Sequence, residues 1–430
     1  FGGGGGGGSS GSAGGASGGG RGGAAGSGGG GGGTGSGCAA NNGGATDVGV
    51  TGNEIQIAST VVLDGPGASL LEPAGVGMQS VIAQVNRAGG VCGRRIALET
   101  RNDSWDAAKG RDFIRRFIEA NKFALLVVPS SEGLAESIKA GDISRAGIPV
   151  VGTTGLRIDE YRDPWVFPVS TATVSIMRII ADHALKDGAS SFGVVWDSKY
   201  KFGLEGANAF KEYVRSKGGT VKADLPLDPD KPSYGTESTK FNRDCGNTGS
   251  SAGCDAVVLL LVPETALKWR SANSGGVAGR GKATYGAQTL FTDDFATKCK
   301  DWCDGMQVWT GYNPPIPPVD NQADVKAYIS AVRQIRPSID FRNQFVEGAH
   351  LGARVFVEAL EACSPNLTRA CVKDTLDRIT YRSGLSSALA WRPGKHHANV
   401  TAQAFSMEAS GGSFNGWRYE NTGFIRDPAF

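Results

Sequence analysis

Short apolar, largely β-branched runs alternate along most of this chain with apolar residues at helical spacing, and that alternation restricts the fold more than any other feature. Ile55 to Thr60 reads as a strand. Met78, Val81, Ile82 and Val85 then keep helical spacing up to "NRAGG", where glycine stops the helix. "RIALETRND" is the next strand, and Phe113, Ile114, Phe117 and Ile118 mark a helix. Leu125 to Val128 is a strand, Leu134, Ile138 and Ile143 mark one helix, and "IPVVG" is the strand after it. Strands that return through helices in this way imply right-handed βαβ units and a parallel sheet covered on both faces.

A second series begins near Val174: helix "VSIMRIIADHAL", strand "FGVVW", helix "GANAFKEYV", strand "TVKADLPL", strand "DAVVLLLV", helix "ETALKWR" and strand "ATYGA". Strand "MQVWTGY" follows, with amphipathic helices at Val325 to Ile335 and Phe345 to Cys363, a helix near Leu367 to Ile379, and a strand-rich end. At 430 residues the chain is long enough for two such units. The predicted class is therefore α/β, with two doubly wound parallel-sheet lobes.

Residues 1–45 stand apart, holding 26 of the 66 glycines. Such a segment cannot bury enough apolar surface to offset its ordering entropy, so it reads as a flexible spacer or as an assembly element packing against other chains. Lys plus Arg total 44 against 42 for Asp plus Glu, so no excess charge favours nucleic acid or an anionic membrane surface. The longest apolar stretch, Ala256 to Val262, is far short of the ~20 residues of a spanning helix. The start at Phe1, with no charged or apolar leader, fits a product whose export signal has been removed.

Eight cysteines, an even number, point to an oxidising, extracytoplasmic compartment. Pairing Cys245–Cys254, Cys299–Cys303 and Cys363–Cys371 closes short loops and leaves Cys38–Cys92. A metal site is disfavoured, because no His lies near these pairs. Lipid attachment at Cys38 is the alternative, but "TGSGC" lacks the apolar residue that should precede it.

Two strands end in hydroxyls: Ser130 and Ser131 after one, Thr153 and Thr154 after the next. In an open parallel sheet, ligands bind outside the carboxyl ends of the strands. Hydroxyls there can cap a helix or receive an anion such as a carboxylate, and both readings stand. Among the aromatics, Trp105, Trp165, Tyr200, Phe202, Tyr285, Trp309 and Tyr312 recur near strand ends, where a few could line a pocket. No catalytic constellation emerges. "GVAGRGK", Gly276 to Lys282, has phosphate-loop spacing but is followed by Ala283 and reads as a turn; "GASGG", Gly15 to Gly19, is a chance match in a glycine-rich segment. His183, His350, His396 and His397 lack motif partners and read as structural, so no cofactor and no metal are expected.

From about Gly52 to Trp417 the order of elements and several phrases resemble the type I periplasmic binding proteins of the branched-chain amino acid transporter class. The phrases are "VNRAGGVCGRRIALETRND", "GIPVVGTTG", "FGLEGANAFKEYVRSKGGTV" and "CDAVVLLLV". The resemblance implies two lobes joined by three crossings, near Pro168 to Ser170, Gly311 to Asn313 and Thr380 to Ser383. Lobe 1 then takes residues 46–169 and 312–380, and lobe 2 takes 170–311 and 381–430. It further implies that Ser130 or Ser131 and Thr153 or Thr154 hold a ligand carboxylate, with Phe202 and Tyr200 contacting the ligand from the second lobe. Gln288 lies where a carboxylate for an ammonium group is expected, with Asp293 and Asp294 further along, a departure that counts against an α-amino acid.

The function implied is non-enzymatic: extracytoplasmic capture of a small polar or carboxylate-bearing, amino-acid-like molecule for an ABC-type transporter, whose permease is the partner. The alternative is a cell-surface or filament subunit on the same fold, self-associating through residues 1–45.

Overall fold

The computed structural model describes residues 38, 42–245, 253–273 and 283–430. The "GASGG" and "GVAGRGK" matches, and residues 1–45 apart from 38 and 42–45, lie outside the described residues.

The first part of the chain runs β1 (Glu54–Val61), α1 (Ala68–Leu71), α2 (Ala74–Arg87), β2 (Arg95–Asn102), α3 (Ala107–Glu119), β3 (Ala124–Leu126), α4 (Glu132–Lys139), α5 (Asp142–Ala146), β4 (Val150–Thr153) and β5 (Val166–Pro168). Its strands make one sheet in the order β2-β1-β3-β4-β5, every pair parallel. The β2 and α2 segments follow their expected spans closely. Strand β3 is shorter than expected, because Val127 and Val128 adopt φ of 67° and 48° and leave the ladder at Leu126. The helix expected through Leu134, Ile138 and Ile143 is two helices, broken where Gly141 takes φ 72° and Asp142 restarts the turn.

The second series is α6 (Thr173–Lys186), β6 (Ser191–Asp197), α7 (Lys201–Ser216), β7 (Thr220–Leu227), α8 (Gly235–Cys245), β8 (Ala256–Leu260), α9 (Pro263–Ala272), β9 (Ala283–Gly286), α10 (Asp293–Cys299) and β10 (Gln307–Thr310). Helices α11 (Ala323–Ile335), α12 (Gln344–Cys363) and α13 (Arg369–Leu376) follow. The chain ends in β11 (Tyr381–Ser383), β12 (Ser386–Leu389), β13 (Thr401–Ser410), β14 (Ser413–Tyr419) and β15 (Ile425–Arg426). The second sheet runs β14-β13-β10-β9-β8-β6-β7. It is parallel from β7 to β10, but β13 and β14 add an antiparallel edge, so the parallel description holds for its core alone. Among the described residues no helix is long and apolar enough to cross a membrane.

Helix α12 returns to the first sheet and packs on α2 and β4. Glycines allow that approach: a Cβ on Gly152 would lie 2.6 Å from the Cα of Gly352. The second sheet carries its own apolar cluster, in which Trp269, Phe291 and Phe405 surround the bonded pairs Cys245–Cys254 and Cys299–Cys303. Cys38–Cys92 and Cys363–Cys371 are bonded as well.

The chain passes between the sheets after β5, after β10 and before β13, and these passages are tied together. The Thr171 hydroxyl donates to the Thr401 carbonyl at 2.6 Å, Asn399 Nδ2 to the Gly311 carbonyl at 3.0 Å, and Trp391 Nε1 to the Pro168 carbonyl at 3.0 Å.

Candidate functional site

The carboxyl ends of β3 and β4 bring the two hydroxyl pairs together. Ser131 Oγ lies 3.3 Å from Thr154 Oγ1, and Thr154 donates to the Pro129 carbonyl at 3.2 Å. Ser131 precedes α4 without capping it, since its φ of 58° and ψ of −30° aim the hydroxyl away from the first amides of the helix. Three positive-φ residues that are not glycine, Val127, Val128 and Ser131, fall at this one strand end. Such conformations persist only where surrounding structure enforces them, and they collect at functional sites. Ser130 is engaged differently: its hydroxyl donates to Asp103 Oδ2 at 2.7 Å. Burial raises the Asp103 carboxyl, and the hydroxyls of Ser130 and Thr60 counter part of that shift.

Thr154 leads into a tight turn that carries the charge of the site. Gly155, at φ 69°, passes so close to Tyr161 and Ser170 that no side chain would fit there. Beyond it Arg157, 1% exposed, is held by three carboxylates: Glu132 at 2.5 Å, Asp159 at 2.9 Å and Glu205 at 2.9 Å. Burial opposes the charge on Arg157, but Glu132 and Glu205 outweigh it and leave the guanidinium firmly protonated. Glu132 belongs to α4 and Glu205 to α7, so one guanidinium joins the two halves. Glu132 also accepts from the Lys201 amide at 2.9 Å, at the start of α7. Burial raises the Glu132 carboxyl, and Arg157 and the Lys201 amide pull it back.

Aromatic contact completes the meeting of the halves. Trp105, from the loop after β2, stacks on Tyr200 with ring centroids 3.9 Å apart and an 18° tilt. Phe202 lies behind, 5.9 Å from Trp105. The Tyr200 hydroxyl donates to the Pro66 carbonyl at 2.7 Å, and Ser69 donates to Glu264 of α9 at 2.5 Å. The walls of the cleft are thus in direct contact, a closed arrangement, and a molecule entering between them must part these contacts.

Gln288, after β9, donates through Nε2 to the Thr173 hydroxyl at 2.7 Å, and the Thr173 amide donates to the Gly155 carbonyl at 3.3 Å. Its Oε1 is buried without a partner, as is Trp105 Nε1. Buried polar atoms are nearly always paired, so each marks a position with unused bonding capacity. Asp293 does not join this group. Its carboxylate takes the Arg342 guanidinium at 2.7 Å and Trp417 Nε1 at 2.8 Å, beside β14. No cluster of His, Cys, Asp and Glu suited to a metal exists among the described residues.

Sequence reasoning did not find Asp103, Glu132, Arg157, Glu160 or Glu205. The available signal was the charged phrase "RIDE" at 157–160, directly after the strand-end threonines.

A family model described as periplasmic binding protein matches residues 54–413. No curated protein sequence matches the chain. Among solved structures, the chain resembles a fatty acid ABC transporter substrate-binding protein from Thermomonospora curvata, at 17% identity and TM-score 0.72, covering 89% of this chain and 94% of that one. It also resembles an ABC transporter solute-binding protein from Rhodopseudomonas palustris HaA2 in complex with p-hydroxybenzoic acid, at 14% identity and TM-score 0.72, covering 87% and 98%. A third is the branched-chain amino acid transporter substrate-binding protein from Streptococcus pneumoniae in complex with isoleucine, at 16% identity and TM-score 0.69, covering 87% and 100%.

Proposed function

The chain belongs to the periplasmic binding protein family, and from that premise we propose that it captures a small solute between its two sheets and presents it to the permease of an ABC transporter outside the cytoplasm. It acts by binding and closure rather than by catalysis. The two lobes of this reading comprise 46–169 with 312–380, and 170–311 with 381–430. The observation that supports the proposal is that groups at the strand ends of the two sheets meet, with Trp105 stacked on Tyr200. Ser131, Thr154 and Trp105 come from the first, Tyr200 and Gln288 from the second, and Trp105 Nε1 and Gln288 Oε1 are each buried with bonding capacity unused. Closure around a solute discriminates by contacts made only when the walls meet.

Thermal-shift and tryptophan-fluorescence titrations with amino acids, amides, ureas and aromatic acids test this. At least one solute is expected to raise the melting temperature and alter the Trp105 emission. Silence across the panel at millimolar concentration removes the support for transport binding.

The direct contact of the walls, through Arg157 and Glu205 and through Trp105 and Tyr200, favours a second reading. In it the fold is a surface or assembly subunit, joined to other copies through residues 1–45. Light scattering and micrographs of the full chain distinguish the two: higher-order assemblies are expected from the second reading and monomers from the first.

A further inference from the structure

Donors expected to receive a solute's carboxylate surround one that belongs to the chain. The Gly155 amide donates to Glu160 Oε2 and the Arg157 amide to Glu160 Oε1, each at 2.9 Å. The hydroxyls of Thr153 and Ser131 stand beside the same group, which is completely buried. An ordinary helix cap explains only part of this. Capping the short turn at Ile158–Tyr161 requires the Arg157 amide alone, whereas the Gly155 amide and the two hydroxyls come from the ends of β4 and β3.

The neighbouring position for a cation is filled from the same segment, by Arg157 among Glu132, Asp159 and Glu205. A carboxylate offers about four lone-pair directions, and the Gly155 and Arg157 amides already hold one oxygen each of Glu160. A second carboxylate brought alongside would find those two amides taken. It would also face Glu160, Glu132 and Glu205 in a space shielded from water, where like charges repel strongly.

Resting on the solute-binding reading above, we infer that Glu160 is a specificity-determining residue: it fills the anion position of the cleft and turns away carboxylate-bearing solutes. The cleft is left to uncharged or amine-bearing solutes with a flat group that meets the Trp105 and Tyr200 rings. The surplus of carboxylates over the single guanidinium, together with two ring faces, suits an amine better than an acid.

The test uses the full chain as wild type, Glu160→Ala and Glu160→Gln, titrated with benzoate, acetate, benzamide and benzylamine and followed by thermal shift and calorimetry. Benzoate is expected to leave wild type unshifted, while benzamide or benzylamine stabilises it. Glu160→Ala should gain stability with acetate or benzoate and bind benzoate about tenfold or more tightly than wild type does. Glu160→Gln, whose amide still fills the position, should stay unresponsive to both anions. The inference is overturned if benzoate stabilises wild type as strongly as Glu160→Ala, or if folded Glu160→Ala gains nothing from either anion. Where Glu160→Ala does not fold, wild type decides alone: benzoate binding overturns the inference, and binding of benzamide or benzylamine without benzoate supports it. Failure of the transport reading looks different. Wild type then answers to no solute of any charge, while the gain of Glu160→Ala with acetate still reports the anion position.

Discussion

The two sheets present different balances of polar and aromatic groups to the place where they meet. The first ends in directional polar groups, Asp103, Ser130, Ser131, Thr153 and Thr154, followed by the Arg157–Glu160 turn. The second offers ring faces, Tyr200 and Phe202, with Glu205, Glu264 and Gln288 beside them. Hydrogen-bond donors act only within narrow distances and angles, so they need the rigid ends of parallel strands held on both sides by a ladder. Rings need contact area, which the start of a helix can supply. The difference teaches that much of the polar wall already bonds to its own chain, which leaves selectivity to Glu160 and to the aromatic wall.

The largest expected effect comes from removing the buried guanidinium that binds carboxylates of both walls. Arg157→Ala strands Glu132 and Glu205 and should cost about 3–5 kcal/mol in urea unfolding, as for a buried ion pair deprived of one partner. Glu205→Gln, on the more exposed side of the network, should cost nearer ~1 kcal/mol. Equal losses would mean that the network belongs to neither wall in particular.

Next come the disulfides, which constrain the two halves unequally. Replacing Cys38 and Cys92 by serine reopens a separation of 54 residues, against 4 for Cys299 and Cys303. Chain entropy then predicts losses of about 4 and about 2 kcal/mol, read as a difference in melting temperature between the two double variants. A reversed order would show that packing in the second core, rather than loop length, governs the pair at 299 and 303.

The finest test is the slope of stability against pH. In the second half, burial pushes Asp197 up from 3.8 to about 8. A carboxyl raised in the folded state stabilises fully below about pH 4, and that contribution is lost as pH rises through 8, so Asp197→Asn should flatten the alkaline decline. In the first half, burial and then Arg354 push His350 down from 6.5 to about 3. A histidine kept neutral stabilises above pH 6.5, and that contribution is lost as pH falls toward 3, so His350→Asn should flatten the acid limb. Unfolding midpoints measured across pH 4 to 9 check both, and a limb left unaltered by its substitution removes that residue from the account.

Hydrophobic spacing made the two α/β units legible, because a parallel strand and the amphipathic helix after it leave distinct periods in the chain. It missed α8, whose apolar residues are sparse, and overran β3, because nothing local announces that Val127 and Val128 turn left-handed. The strand-end hydroxyls were legible through the position rule for parallel sheets. The groups that engage them were not: Glu160 reads locally as one acid in a charged turn, and only the close passage of the Gly155 turn brings it back beneath the ends of β3 and β4.

By itself, then, the sequence determined which segments are strands and helices, the order in which they alternate, and that Ser131 and Thr154 stand at neighbouring strand ends, since these depend on local spacing and on rules of sheet topology. Only the tertiary structure decided that Arg157 ties α4 to α7, that Trp105 lies on Tyr200, and that the carboxylate between the donors is the chain's own. Those contacts join residues far apart along the chain, and their energies come from burial and alignment that no local pattern encodes.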